Sequence, residues 1–172
     1  MRVLGVDPAI GSLGFAVADL KSIEELGLIE TSPKLPRSER ILEIYRRLGE
    51  IMDAHQVDEV VVEDQFAGRN IETLKAINQA KAAVMIAAAE RGLPITSYTP
   101  TEVKASVTGH GRATKEEVAE VVCRHYASSE VLNRFLATAS KTDDVTDALA
   151  LILTHLTLTS KGATSHAQKE GR

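Results

Sequence analysis

The sequence predicts an α/β protein, a five-stranded mixed sheet flanked by helices. Three observations carry that prediction. Three short apolar runs stand at hairpin spacing near the N-terminus: "RVLGV" (2–6), "GFAVADL" (14–20) and "ELGLIET" (25–31). Gly, Asp and Ser punctuate them, as expected of antiparallel strands joined by tight turns. After them, apolar runs too short for helices alternate with segments of helical periodicity, the pattern of parallel strands joined by crossovers.

Each later element has its own local reason. Ile41, Tyr45, Leu48 and Met52 recur at helical spacing after a Pro-Arg-Ser start, which predicts an amphipathic helix over about 37–54. The β-branched run "EVVVE" (59–63) reads as a buried fourth strand. "NIETLKAINQAKAAVMIAAAER" predicts a long helix over 70–91, with Gly92 as its stop signal. "PITSYT" is the fifth strand, "PTEVKASV" a short helix and "GHGRA" a loop that leaves His110 facing solvent. Thr114 and Glu117 have the spacing of a capping box opening a helix to about 126. A last helix is expected over 143–158, giving a single domain over 1–158 and a flexible tail over 159–172.

Composition narrows the function classes. The 172 residues suffice for one domain with a real core, and 44% hydrophobic content is ordinary for a globular chain. No apolar stretch approaches the ~20 residues of a membrane span, and Asp7, Pro8 and Asp19 interrupt the first apolar run where a signal peptide would continue. The lone Cys123 is expected to pack as a small apolar residue. These features predict a soluble, cytoplasmic protein without a membrane partner. A net charge of −4 argues mildly against a nucleic-acid binder, but the charge is segregated. "KLPRSERILEIYRR" (34–47) has five basic groups against two acidic, whereas "EIMDAHQVDEVVVED" (50–64) has six acidic groups and no Lys or Arg.

The carboxylates at element ends carry the chemistry. Asp7 ends the first strand in "VLGVDPAIGSLGFAVADL", and Glu63 ends the fourth. If those strands are parallel neighbours, both emerge at one sheet edge, where α/β sites usually lie. Asp64 points to the opposite face. In "KTDDVTDALALILTH", Asp144 and Asp147 share one helix face, and Asp143 is the expected cap. Four converging carboxylates cannot all ionise without a cation among them. An all-oxygen set suits Mg²⁺, with Mn²⁺ as a substitute, and two such ions make the clamp used for phosphodiester hydrolysis. Taken singly, each feature also has a plain reading: a turn, solvated surface, or acids favourable to a helix dipole.

The ordered set resembles the RuvC family of Holliday-junction resolvases, within the RNase H-like superfamily. "GVDPAIGSLGFAV", "VVVEDQFAGRN", "AERGLPITSYTPTEVKASVTGHGRATKEEV" and "DDVTDALALILTH" carry the resemblance over nearly the whole chain. It implies an RNase H-like sheet and a homodimeric, Mg²⁺-dependent crossover junction endodeoxyribonuclease acting in DNA recombination and repair. Such an enzyme makes symmetric paired nicks with 5′-phosphate ends, and branch-migration motor proteins are its expected partners. Asp7, Glu63, Asp144 and Asp147 fall on the metal-binding catalytic positions, Phe66 on a position that stacks against an unpaired base. Lys104 and Lys115 fall on basic positions that approach the scissile strand, and Lys115 is placed to steady charge on the phosphate. Arg69, Lys75 and Lys81 read either as backbone-phosphate contacts or as plain surface charge. The Ala-rich stripe Ala76, Ala80, Ala83 and Ala87 is the expected dimer face. Ala9 stands where the family usually has Gly, and the net acidity is unusual for it. Three alternatives remain at this point: an actin- or sugar-kinase-type ATP-binding domain, a catalytically weak junction- or RNA-processing relative, and a structural partner in a DNA-remodelling complex. The first needs a second Asp-containing phosphate loop, which 172 residues do not supply.

Overall fold

The computed structural model describes residues 1–64, 70–139 and 141–167. The strands are β1 (Val3–Asp7), β2 (Ser12–Ala18), β3 (Ile23–Glu30), β4 (Glu59–Glu63) and β5 (Ile95–Tyr98). The helices are α1 (Arg37–Ala54), α2 (Ile71–Glu90), α3 (Pro100–Thr108), α4 (Lys115–His125), α5 (Glu130–Thr138) and α6 (Asp143–Ala167). The sheet order is β3-β2-β1-β4-β5. Strands β1 to β3 are antiparallel neighbours, and β4 lies parallel to both β1 and β5.

Alternation along the strands sorts the core into two layers. Leu4, Val6, Leu13, Phe15, Val17 and Val60 face α1 and α2, packing on Ile44, Leu48, Met52, Ala80, Ala83 and Ala87. Each Val, Leu, Ile, Phe or Met among them, once buried, contributes about 1.5–3 kcal/mol relative to exposure. Val3, Ala16, Ala18 and Val61 face the other way, against α6 and residues of α3, α4 and α5. Arg91 clasps α1 to the end of α2 through two bonds to Asp53, at 2.7 and 2.8 Å.

Most helix signals act as the sequence predicts. Asn70 caps α2 by accepting from the Thr73 amide at 2.8 Å, and Gly92 ends it at φ +64°. Thr99–Glu102 and Thr114–Glu117 both form full capping boxes. Cys123 is half-buried against the α6-side core, and burial raises its thiol pKa. Four expectations need correction. Helix α5 was unforeseen; Ser129 caps it, and only Leu132 is fully buried. Helix α6 continues to Ala167 instead of ending near 158. Asp143 is the first residue of α6, not a residue outside it acting as cap. Ala80, Ala83 and Ala87 are at most 2% exposed and pack within this chain's own core, so the alanine stripe is not available to a second subunit. The outward face of α2 instead carries Met85 and Ile86, 47% and 55% exposed.

Helix α6 lies directly on the sheet because β1 and β2 are floored with glycine beneath it. A Cβ on Gly5 would overlap the Ala148 carbonyl and stand 2.8 Å from Ile152 Cγ1. On Gly14 it would overlap the Asp144 carbonyl and stand 2.7 Å from Asp144 Cβ. Gly5→Ala and Gly14→Ala should each cost about 1–3 kcal/mol by overpacking. Gly11→Ala, whose nearest neighbour would be 3.8 Å away, should melt within a degree or two of the unaltered protein. Thermal melts of the three variants check this.

Candidate active site

The site forms where three elements end or begin together. In the β1–β2 ladder Asp7 stands opposite Gly14, and in the β1–β4 ladder Val6 stands opposite Val62. One residue further along the same register sets Glu63 beside Asp7. Asp7 lies two residues beyond Gly5, and Glu63 two beyond Val61, so both point to the α6 face. The first turn of α6 crosses that face at Gly14, bringing Asp144 over the end of β1. Asp147 follows on the same helix face.

The electrostatics record this convergence. Burial, then the charges of Glu63, Asp147 and Asp144, push the Asp7 pKa up to about 7, with Lys115 pulling against them. Asp144 is also raised, first by burial and then by Asp147, with Lys115 and Lys141 opposing. Lys115, the first residue of α4, donates to Asp147 Oδ2 at 2.7 Å. Burial pulls its ammonium down, but the bond to Asp147 and the charges of Asp147, Asp7 and Glu63 outweigh that and raise it. The region is an acid cluster with one ammonium at its edge.

The donor set is carboxylate oxygen, which suits a hard divalent cation. Among the described residues no group of three His, Cys, Asp or Glu is closed tightly enough to hold a metal as it stands. Lys115 supplies a positive charge at Asp147 in this arrangement. The residues therefore fit a divalent ion by chemistry and by their mutual repulsion.

The other sequence-predicted residues spread more widely. Lys81, 15% exposed, donates to Asp64 at 2.7 Å. Lys75 projects from α2 and pairs with Glu72 at 2.9 Å. Lys104 is half-buried on α3, where its charge acts on Glu116. His110 is exposed. Phe66 and Arg69 lie outside the described residues.

A buried polar network behind the carboxylates escaped the sequence reading. His155 of α6 is 2% exposed, with Nδ1 3.0 Å from the Tyr98 hydroxyl and Nε2 2.9 Å from Glu59 Oε2. The second contact is out of line for a hydrogen bond, so it is a close electrostatic contact. Thr96 Oγ1 donates to Glu59 Oε1 at 3.2 Å, and the Asp64 amide donates to the Tyr98 carbonyl at 2.8 Å. Together these ties hold α6 to β4 and β5, fixing Asp144 and Asp147 relative to Glu63. The available signal was a polar His inside the apolar run "ALALILTHL".

The Asp7 shift makes a signed prediction. A carboxyl raised in the folded chain binds its proton more tightly there than when unfolded. Folding therefore loses stability as pH rises from about 4 to about 7, by on the order of 4 kcal/mol at most. Without divalent ions, Asp7→Asn should melt above the unaltered protein at pH 8, with the gap narrowing toward pH 5. Equal melting temperatures at pH 8 would show that the acids do not repel one another.

Comparison with known proteins gives a consistent answer. The family model described as crossover junction endodeoxyribonuclease RuvC matches residues 3–155. The protein of that name from Renibacterium salmoninarum is 39% identical over 172 residues, covering 97% of this chain and 85% of the relative. That from Caldicellulosiruptor saccharolyticus is 36% identical, covering 91% of this chain and 92% of the relative. Among solved structures, Thermus thermophilus RuvC in complex with Holliday junction substrate matches with a TM-score of 0.83 and 35% identity, covering 94% of this chain and 96% of that one. The yeast mitochondrial resolvase Ydc2 shares the fold with a TM-score of 0.66 at 15% identity. The five-stranded mixed sheet flanked by helices is thus the RNase H-like arrangement of these nucleases, and the chain belongs to the RuvC family of crossover junction endodeoxyribonucleases.

Proposed function

We propose that this protein is a divalent-metal-dependent endonuclease that resolves four-way DNA junctions by symmetric paired nicking in recombination and repair. One observation carries the reading: a buried carboxylate, Asp7, whose pKa is driven up by three further acids, in a chain that belongs to the RuvC family. The named relatives are junction endonucleases, and one solved relative is bound to a Holliday junction.

Asp7, Glu63, Asp144 and Asp147 would hold the metal, which we take to be two Mg²⁺ ions per subunit with Mn²⁺ able to substitute. Bound there, such ions activate a water and neutralise charge at the scissile phosphate. Asp7 ends β1 beside β4 and under α6, and would join the ligands from those two elements. Lys115 stays protonated and lends positive charge on the α4 side of the site, where charge grows on the phosphate oxygens. The water oxygen bonds to phosphorus, the 3′ oxygen leaves with a proton, and the products are a 5′-phosphate and a 3′-hydroxyl. Lys75, Lys81, Lys104 and Arg69 would meet the DNA backbone, and Phe66 a base at the junction centre. Lys81 would first have to leave Asp64.

Two symmetric nicks call for two subunits. We place the dimer contact on the exposed Met85–Ile86 face of α2. Branch-migration motor proteins are the partners that would deliver junctions. No helix among the described residues is long and apolar enough to cross a membrane, and we assign the protein to the cytoplasm.

A synthetic four-way junction and a plain duplex, each incubated with protein in Mg²⁺ and in EDTA, test the activity. Paired nicks are expected in the junction alone and only with metal. Asp7→Asn should retain junction binding while cleavage falls at least a hundredfold. Binding without cleavage in Mg²⁺ or Mn²⁺ would leave a junction-binding relative instead. Sedimentation should find the unaltered protein dimeric and Ile86→Glu monomeric; a dimeric variant would move the contact elsewhere.

A further inference from the structure

The basic segment over 34–47 has no role in the site described above, yet one of its side chains is held with unusual firmness. Arg40, half-buried on α1, donates from Nε to Thr31 Oγ1 at 2.8 Å. Thr31 is 5% exposed, its hydroxyl donates to the Ile10 carbonyl, and its amide donates to the Gly11 carbonyl at 3.2 Å. This chain of bonds anchors the guanidinium to the turn that follows Asp7. The outer nitrogens of Arg40 make no ion pair among the described residues, and Nη2 lies beside Gly11.

Arg40 lines an open groove of about 510 Å³, shared with Ser12, Lys141 and Glu30. That volume is within the ~300–1,000 Å³ usual for ligand clefts. The Ser12 Oγ is buried and lacks a hydrogen-bond partner among the described residues. Lys141 Nζ is 3.7 Å from Glu30 Oε1, a loose contact between exposed groups. Two cations, Arg40 and Lys141, therefore share the groove with one carboxylate, Glu30.

The groove abuts the catalytic carboxylates. Ser12 is two residues before Gly14, on which Asp144 rests, and the charge of Lys141 reaches Asp144. Lys115 stands on the α4 side of the same acids, so the groove supplies the cations on the β2–β3 side. A fixed planar guanidinium and a movable ammonium are the elements of phosphodiester recognition.

We propose that this groove binds a backbone phosphate of the junction strand, adjacent to the phosphate held at the carboxylates. Arg40 is its rigid fork and Lys141 its adjustable cation. The proposal rests on the resolvase reading and adds to it a binding site on the opposite flank from Lys104 and Lys115.

Junction binding measured in EDTA over a KCl series tests it, with the unaltered protein, Lys141→Gln, Arg40→Gln and Arg40→Lys. Each lost phosphate contact lowers the slope of log K against log salt by about 1. That decrease is expected for both Gln variants, with affinity falling about tenfold. Arg40→Lys should keep the slope and still lose affinity, since charge remains while the fork is gone. Lys141 is exposed, so its variant tests the groove even if the Arg40 variants melt early. Slopes and affinities equal to those of the unaltered protein would overturn the proposal. Cleavage in Mg²⁺ is run beside the titrations: an unaltered protein that cuts junctions while both Gln variants keep its slope and affinity defeats the groove alone. One that neither binds nor cuts defeats both readings.

Discussion

The close seating of α6 on the sheet is the constraint on which everything else depends. Two positions without side chains, Gly5 and Gly14, let the helix backbone descend until Ala148 and Asp144 touch the strands. That descent has two consequences. Along the middle of the helix it closes a dry core with Val3, Ala16 and Val61. At the N-terminal end it delivers two acids onto a sheet edge already carrying two more. The fold thus uses apolar packing to hold like charges together, which their own repulsion opposes. His155, Tyr98 and Glu59 complete the arrangement by tying the same helix to β4 and β5 through polar contacts.

Much of this was legible in the sequence because local physics decided it. The β-branched "EVVVE" could only be a buried strand, and the turn after Asp7 could only end one. The Thr114 cap satisfies amides within a few residues of itself, as do the Thr99 and Asn70 caps, which the sequence reading passed over. Glu63 was legible for the same reason, as a strand end in a predicted parallel pair. Residues defined by distant partners were not. Glu59 reads as an ordinary edge acid until β5 and α6 bring Thr96 and His155 against it. Arg40 reads as one of five basic groups until β3 ends at Thr31 beneath it.

Three misreadings have instructive causes. Small residues on a helix permit close approach without saying to what, and in α2 the answer is α1 of the same chain. Helix α5 buries a single leucine, so its apolar signal was weak, although Ser129 was a fair start marker. The end of α6 was misplaced because Ser, Lys, Gly and Thr discourage helix individually. None of these affects the site, which is positioned by β1, β4 and the first turn of α6.

The Lys115–Asp147 pair and the raised Asp7 have one further meaning for how this protein takes up metal. The Asp7 carboxyl holds its proton well above the usual carboxylate range, and Asp147 is engaged by an ammonium. If these acids hold a divalent ion, as proposed above, its arrival would displace the proton of the one and the ammonium of the other. Uptake by that route would be an exchange, with protons released to the medium and affinity for the ion strengthening as the surroundings become more alkaline.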